Sequence, residues 1–495
     1  MTETENDGIQ FRQLDGKRSS QMVGKTVYAD AARVPDPGLA ATIEHQKDWR
    51  KSYLGPVRAL VEVGARSAAD AVRIAKDGLD SAHRSVMFRR GDTEVPVNEA
   101  FGTFPDGSFD TTTLKGSGNR ERELMVPLGD RNLTGDGLLR QLDRWVADGV
   151  IEESCRQAVA AVVSEPDWLD LSGTRFVLMG AGSEMGPLES LTRWGAEVIA
   201  VDLPRPDLWA RILKAAEQGS GTVHVPVRGS HDGSLDSIAR VAGADLLSET
   251  PEIRNWAAAF GGPMVVGNYV YADGSTFLRL ATALDALTTS LQQEVSHVSI
   301  AYLATPTDVF AVPQTVVAAS HARPRSPVAA LARGATRSKL FHRNYDSTIS
   351  SDTGTTWGIS DCLVAQQGPN YSLAKMLQRW RAIEAKERGQ FISANVAPAT
   401  KTRSVTKNKI LAAAFRGASA FGVEVFEPAT SRALMSALLV HDLRNPIAPS
   451  QPGVELAHPF ELFAQGAAHG GLWRVAYEPR TVLPLAVGIG MFRRN

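Results

Sequence analysis

The chain has 495 residues, 43% apolar and 22% charged, with a formal net charge of -1. That length exceeds what one hydrophobic core supports, so two or three domains are expected. The near-neutral charge gives no electrostatic reason for a nucleic-acid partner. Two cysteines, Cys155 and Cys362, are too few for a disulfide framework or a cysteine-based metal centre. The histidines show no H-x-x-x-H spacing, so no metal site is expected.

The opening "MTETENDGIQFRQLDGKRSSQ" is polar and unlike a signal peptide. No apolar run reaches the ~18 residues of a membrane span. A cytoplasmic location with no membrane span is the expectation.

Residues 1–20 are expected to form a disordered lead, and 21–165 a mainly helical domain. "SAADAVRIAKDGLDSAH" carries Ala71, Val72, Ala75 and Leu79 at helical spacing. "PVNEAFGTFPDGSFDTTTLKGSGNRE" is rich in Gly, Thr and Asp and predicts turns or a long loop. "TGDGLLRQLDRWVADG" predicts a helix: Thr134 or Asp136 can cap it, Leu138, Leu142 and Trp145 share a face, and Gly149 can end it. "IEESCRQAVAAVV" predicts another. No chemical motif stands out in this third.

From 166 to 445 strand and helix patterns alternate. The strands are "RFVLMG", "EVIAVDL", "GTVHVPV", "ADLLSE", "GPMVVGNYVYAD", "HVSIAYLATPT" and "QFISANVAPAT". Between them lie helical patterns such as "PLESLTRWG", "LDSIARVAG", "STFLRLATALDALTTSLQQEV" and "NYSLAKMLQRWRAIEAKERG". Such alternation requires crossovers and a parallel sheet covered on both faces. The expected class is α/β: a doubly wound, mostly parallel Rossmann-type sheet, preceded by the helical domain. Residues 313–360 break the rhythm, basic at first and then rich in Ser and Thr, and predict an insertion over a site or a mobile lid. Residues 446–495 form a Pro- and Gly-rich C-terminal extension. Trp145, Trp194 and Trp256 lie on helical patterns and are expected in the core.

"RFVLMGAGSEMGPLESLTRWGAEVIAVDLP" carries the first chemistry. A strand ending in glycines before a helix collects backbone N–H groups at one point, which favours a phosphate. Gly180 permits the tight turn, Gly182 close backbone approach, and Gly186 helix–strand packing. Ser183, Glu184 and Met185 complete the turn. Asp202 ends the next strand, where a carboxylate accepts hydrogen bonds from a ribose hydroxyl pair, with Leu203 beside it. The pattern predicts a dinucleotide. A free carboxylate at Asp202 repels a 2′-phosphate and favours NAD over NADP, although Arg205 stands three residues on. The same order of elements serves S-adenosylmethionine in class I methyltransferases. Against that, Met179 replaces their usual acid and Glu184 a close-spaced glycine.

"GPNYSLAKMLQRWRA" places Tyr371 and Lys375 four apart, on one helix face. An ammonium beside a phenol lowers the phenol's pKa. The phenol can then exchange a proton with an alcohol or ketone as hydride moves to or from a nicotinamide. Some twenty residues on comes "SANVAPATKTRSV".

With these motifs the stretch from about 173 to 440 resembles the short-chain dehydrogenase/reductase family. The resemblance implies an NAD(P)-dependent oxidoreductase acting on a hydroxyl or carbonyl of a small or lipid-like molecule. It implies Tyr371 as acid/base, with Lys375 also holding the nicotinamide ribose. Asn395, Pro398 and Thr402 would stand near the nicotinamide, and Asn268 in the family's asparagine motif after the fourth strand. The family's catalytic serine has no direct counterpart: Thr305 or Thr307 at the fifth strand end, or Ser360, takes its place. The last glycine of the family's turn is Leu188. The resemblance also implies a homo-oligomer through the helix carrying Tyr371. A non-catalytic dinucleotide sensor or scaffold is the remaining alternative.

Overall fold

Apolar runs from the middle of the chain lie side by side in a computed structural model that describes residues 7–324 and 327–492. Seven strands form the main sheet: β1 (Asp110–Lys115), β2 (Arg175–Met179), β3 (Glu197–Val201), β4 (Thr222–Val227), β5 (Met264–Asn268), β6 (Val298–Ala304) and β7 (Ile392–Val396). Their order is β7-β6-β5-β2-β3-β4-β1. Strands β2 to β7 are parallel, and β1 closes the β4 edge antiparallel. The chain moves outward from β2 to β4, then returns to the other side of β2 for β5. The strand order therefore reverses between β2 and β5. This is an α/β architecture with a mostly parallel, Rossmann-like sheet.

Alternation along each strand feeds two cores. Val177, Met179, Ile199 and Val201 enter one, while Phe176, Leu178, Val198 and Ala200 enter the other. Burial on both faces is why these strands read as unbroken apolar runs.

Two expectations are corrected within the sheet. The Gly-, Thr- and Asp-rich stretch expected as loop contains β1. Its β-branched threonines favour extended backbone, and a half-solvated edge needs no apolar run. "ADLLSE", expected as a strand, is a turn. Asp245 accepts from the Leu247 amide at 2.9 Å, and Glu249 accepts from the Asp245 amide at 2.7 Å. These local side-chain bonds compete with a ladder for the backbone.

The expected disordered lead is ordered from Gly8 on, because Gly8–Phe11 pairs antiparallel with Val86–Arg90; residues 1–6 lie outside the described residues. The N-terminal third is rich in helices, among them α1 (Ser20–Arg33) and α2 (Ala68–Ser85). Ser19 and Ser67 cap these two, accepting from the amides of Met22 and Asp70. In the Rossmann-like part, α3 (Leu188–Arg193) follows β2, α4 (Pro206–Gln218) follows β3, α5 (Gly274–Glu294) follows β5, and α6 (Pro369–Glu387) precedes β7.

Helix α1 lies against α6, and α2 lies against both α5 and α6. Gly78 makes this possible, since a Cβ there would stand 2.6 Å from Trp380 Cε3. The Tyr28 hydroxyl and Ser372 Oγ are 3.0 Å apart. Asp285 of α5 accepts from Arg381 of α6 at 2.7 Å (Nε) and 2.8 Å (Nη2), and across the seam it lies 2.8 Å from His83 Nε2 of α2. Helix α6, expected to carry an oligomer contact, is thus covered on one side by the chain's own N-terminal helices.

The stretch expected as an insertion or lid contains folded structure. Val309–Pro313, Thr348–Ser350 and Thr356–Asp361 form a three-stranded antiparallel sheet. Phe310, Trp357 and Ile359 anchor it in the larger core. At the C-terminus, the apolar helix Pro479–Phe492 packs on Lys409–Ala418. Gly417 and Gly490 let the two backbones touch. Among the described residues no helix is long and apolar enough to cross a membrane. Trp145, Trp194 and Trp256 are all buried, as the helical spacing implied.

Candidate active site

The carboxyl ends of the parallel strands gather two groups of residues on either side of the β2/β5 reversal. On the β3 side lies the glycine turn. The amides of Gly180 and Ala181 both donate to the Val201 carbonyl, at 2.9 and 3.1 Å. The Gly182 amide donates to Asp202 Oδ2 at 2.8 Å, and the Leu203 amide to Oδ1 at 2.9 Å. Ser183 donates to the Gly180 carbonyl and Gly186 to the Ser183 carbonyl.

Here the structure corrects the expectation of outward amides opening a helix. The turn closes on itself, and α3 starts only at Leu188, after Pro187, and runs for 6 residues. Among the described residues, the amides of Glu184 and Met185 have no partner. Gly180 has φ +78, and a Cβ would stand 3.0 Å from Val270, so its freedom serves contact with the loop after β5. A Cβ on Gly182 would press on Leu208 and lie 3.3 Å from Asp202 Oδ2. That glycine brings turn and carboxylate together.

Asp202 is half-buried. Burial pushes its carboxyl above the ordinary range; the Gly182 and Leu203 amides, then Arg211 and Arg205, pull it back. Leu203 is exposed, and Met185 packs on the second core. Glu184 ties the turn to the loop after β7: its carboxylate accepts from the Arg403 amide at 2.9 Å, its carbonyl from Arg432 at 3.2 Å. In that loop Thr402 pairs with Ser404 at 2.9 Å, while Pro398 is buried, its carbonyl bonded by Thr400 at 2.8 Å. Asn268 ends β5 and accepts from the Val270 amide at 3.4 Å.

On the β6 side, Thr305 follows the strand, and its side chain stands beside the Tyr371 hydroxyl, close enough to favour the ionised phenol. Thr305 and Thr307 hydroxyls are 3.0 Å apart. Tyr371 and Lys375 share a face of α6. The Phe277 ring lies 5.6 Å from both the Tyr371 ring and Lys375 Nζ. Tyr271, from the loop after β5, is 6.4 Å from the Tyr371 ring and donates to Asp273 at 2.9 Å. Lys375 Nζ donates to the Leu303 carbonyl at 3.3 Å and Gln378 Oε1 at 3.1 Å.

Burial pushes the Tyr371 phenol up to about 12; the Thr305 side chain opposes this and the Asp308 charge adds to it. This is the reverse of the expected depression by Lys375, whose ammonium is held by Leu303 and Gln378. Burial pulls Lys375 down to about 8, against the Asp308 charge. At neutral pH this face of α6 therefore carries a protonated phenol and, one turn on, a largely protonated amine.

Ser360 is not part of this group. It pairs with Phe310 in the small sheet, is fully buried, and its hydroxyl lies 3.5 Å from Cys362 Sγ. Asn395 points into the core, donating to Asp442 at 2.8 Å and Ser393 at 3.2 Å. Its place in the strand pleat turns it from the crevice. Sequence reasoning missed Tyr271, Phe277, Asp308 and Arg379. The last two carried a signal: a charge within an apolar context, "TDVFAV" and "MLQRW", marks a buried, paired ion.

These residues fit a dinucleotide in outline. Asp202 follows β3 and Thr305 follows β6, three strand spacings apart, or about 14 Å. An extended ligand laid across the reversal would meet both. The residues able to hold it are Gly182, Glu184, Met185, Asp202, Asn268, Thr402 and Lys375.

No family model matches the chain, and no curated protein matches it significantly. Among solved structures it is similar to a doubly substituted short-chain dehydrogenase/reductase of Serratia marcescens. The identity is 14% and the TM-score 0.32, over 61% of this chain and 99% of that one. It is also similar to the angucycline C-6 ketoreductase LanV with bound NADP, at 14% identity and TM-score 0.29, over 61% of this chain and 97% of that one.

Proposed function

We propose that the chain is an NAD(P)-dependent oxidoreductase acting on a hydroxyl or carbonyl group of a small or lipid-like substrate. Its doubly wound dinucleotide-binding domain would carry an N-terminal mainly helical domain and a C-terminal extension. The observation that carries the reading is the meeting of Thr305, Tyr371 and Lys375 at one strand end, across the reversal from Asp202. The cofactor, when bound, supplies or accepts hydride. Asp202 binds the adenosine ribose and favours NAD. Tyr371 gives a proton to the substrate oxygen, and Thr305 holds that oxygen in place. Lys375 binds the nicotinamide ribose and supplies positive charge. A phenol pushed up to about 12 stays protonated at neutral pH and can donate to a carbonyl oxygen. Tyr271, exposed at the mouth of the group and packed on Phe277, offers an apolar surface for the substrate body.

A second reading, a non-catalytic dinucleotide binder, draws on the inward amides of the turn and the Glu184–Arg403 link across the crevice. A methyltransferase leaves the Thr305–Tyr371–Lys375 group without a role.

Calorimetric titration with NAD, NADP and S-adenosylmethionine tests these. NAD binding, weakened about tenfold or more by Asp202→Ala, supports the proposal. Binding of S-adenosylmethionine alone, or of none of the three, ends it. With NAD(P) bound, absence of any NAD(P)H turnover across a panel of ketones and alcohols favours the second reading.

A further inference from the structure

Three side chains tie α6 and the residues before it to the strand end that carries Thr305. Lys375 reaches the Leu303 carbonyl. Gln367 Nε2 donates to the carbonyl and the hydroxyl of Thr307, 2.9 Å each. Arg379, one turn beyond Lys375, donates to the Val309 carbonyl at 2.7 Å and pairs with Asp308 Oδ2 at 3.2 Å.

Asp308 and Arg379 are 1% and 3% exposed. Asp308 Oδ1 accepts the Val309 amide at 2.8 Å, and its carbonyl accepts the Cys362 amide at 3.1 Å. The Arg379 guanidinium lies 4.2 Å from the Phe310 ring and 5.4 Å from the Phe463 ring. The pair is locked in a dry aromatic slot. Desolvation nearly cancels the attraction within such a pair, so stability alone is a poor reason for it. Register is a better one.

We propose that Asp308 is a positioning residue for this site: through Arg379 it sets the rotation and height of α6, so that Tyr371 and Lys375 face Thr305. Gln378 on α6, the Leu303 carbonyl on β6 and the Phe277 ring on α5 surround the Lys375 amine, and the Arg379 cation stands one turn along α6. Asp308 is the charge that holds Lys375 cationic against burial. The chemical role rests on the oxidoreductase reading; the charge coupling does not.

Competitive acylation of the full chain with trace acetic anhydride across a pH series, read peptide by peptide in a mass spectrometer, titrates Lys375 by itself. The expected midpoint is about 8. In Asp308→Asn the midpoint falls, and labelling at neutral pH rises about twofold or more. Asp308→Glu restores the original curve. Because Asp308→Asn strands the Arg379 charge, the double variant Asp308→Asn with Arg379→Met forms a second arm. It removes both charges, keeps the aromatic slot filled, and is expected to show a smaller fall, since the repulsion of the Arg379 cation is lost together with the Asp308 attraction. A Lys375 midpoint unmoved in the double variant overturns the proposal, as does an equal fall in Asp308→Glu. Nucleotide titration of the unaltered protein separates the two ideas: a Lys375 response without NAD(P) binding sinks the oxidoreductase reading and leaves the coupling standing.

Discussion

Replacing Asp285 tests the buried cluster that joins α5 to the helix carrying Tyr371 and, through His83, to the N-terminal helices. Its carboxylate is 7% exposed and takes two hydrogen bonds from Arg381 and one from His83. Each charge-assisted bond is worth about 1.5–3 kcal/mol, and the desolvation of the carboxylate offsets several kcal/mol of the sum. Breaking a buried pair from one side typically costs about 3–5 kcal/mol. Arg381 keeps a second acid, Glu384, at 2.6 Å, so the expected loss for Asp285→Asn is about 2–4 kcal/mol. The Arg381 charge, with its bonds and that of His83, holds the Asp285 carboxyl well below the ordinary range in the folded chain, despite burial. A depressed acid stabilises above its unfolded value, about 3.9, and that stabilisation disappears as pH falls through the folded value. The gap between wild type and Asp285→Asn is therefore full at pH 7 and narrows below about pH 4. Urea unfolding, paired with hydrogen exchange of α2 and α6, measures both. A variant within about 0.5 kcal/mol of wild type at pH 7, or a gap that does not narrow in acid, would refute the reasoning.

Three further outcomes are expected. Gly78→Val drives a side chain into the Trp380 ring and should destabilise by about 1–3 kcal/mol, with faster amide exchange in α2 than in the strands. Tyr371→Phe should leave NAD affinity unchanged while lowering kcat at least about a hundredfold on a carbonyl substrate; unchanged turnover removes Tyr371 from the mechanism. Lys375 is pulled down to about 8, so between about 8 and 10.5 the unfolded chain binds more protons and stability rises with pH. Lys375→Met should accordingly stabilise the fold at pH 7 by up to about 3 kcal/mol, with the gain fading above about pH 10; a destabilised variant would contradict the burial penalty.

Local pattern made much of this molecule legible. Unbroken apolar runs such as "FVLM" and "VIAV" announce buried parallel strands, since both faces must be apolar. The 3.6-residue spacing of Leu138, Leu142 and Trp145, or of Ala71, Ala75 and Leu79, marks helices from one face alone. Edge strand β1 escaped because its threonines face water, and "ADLLSE" misled because Asp245 and Glu249 captured its backbone.

What the sequence by itself determined is the alternation of buried strands and helices, together with the candidate residues Asp202, Tyr371 and Lys375, whose spacing is a local property. Tertiary structure alone decided which of them meet. Thr305 comes to Tyr371 and Ser360 does not, because β6 runs in the main sheet beside α6 while Ser360 is committed to another sheet. It also decided the protonation of the pair, since desolvation and the Asp308 charge arise from residues distant in sequence, and no spacing rule encodes how water is excluded.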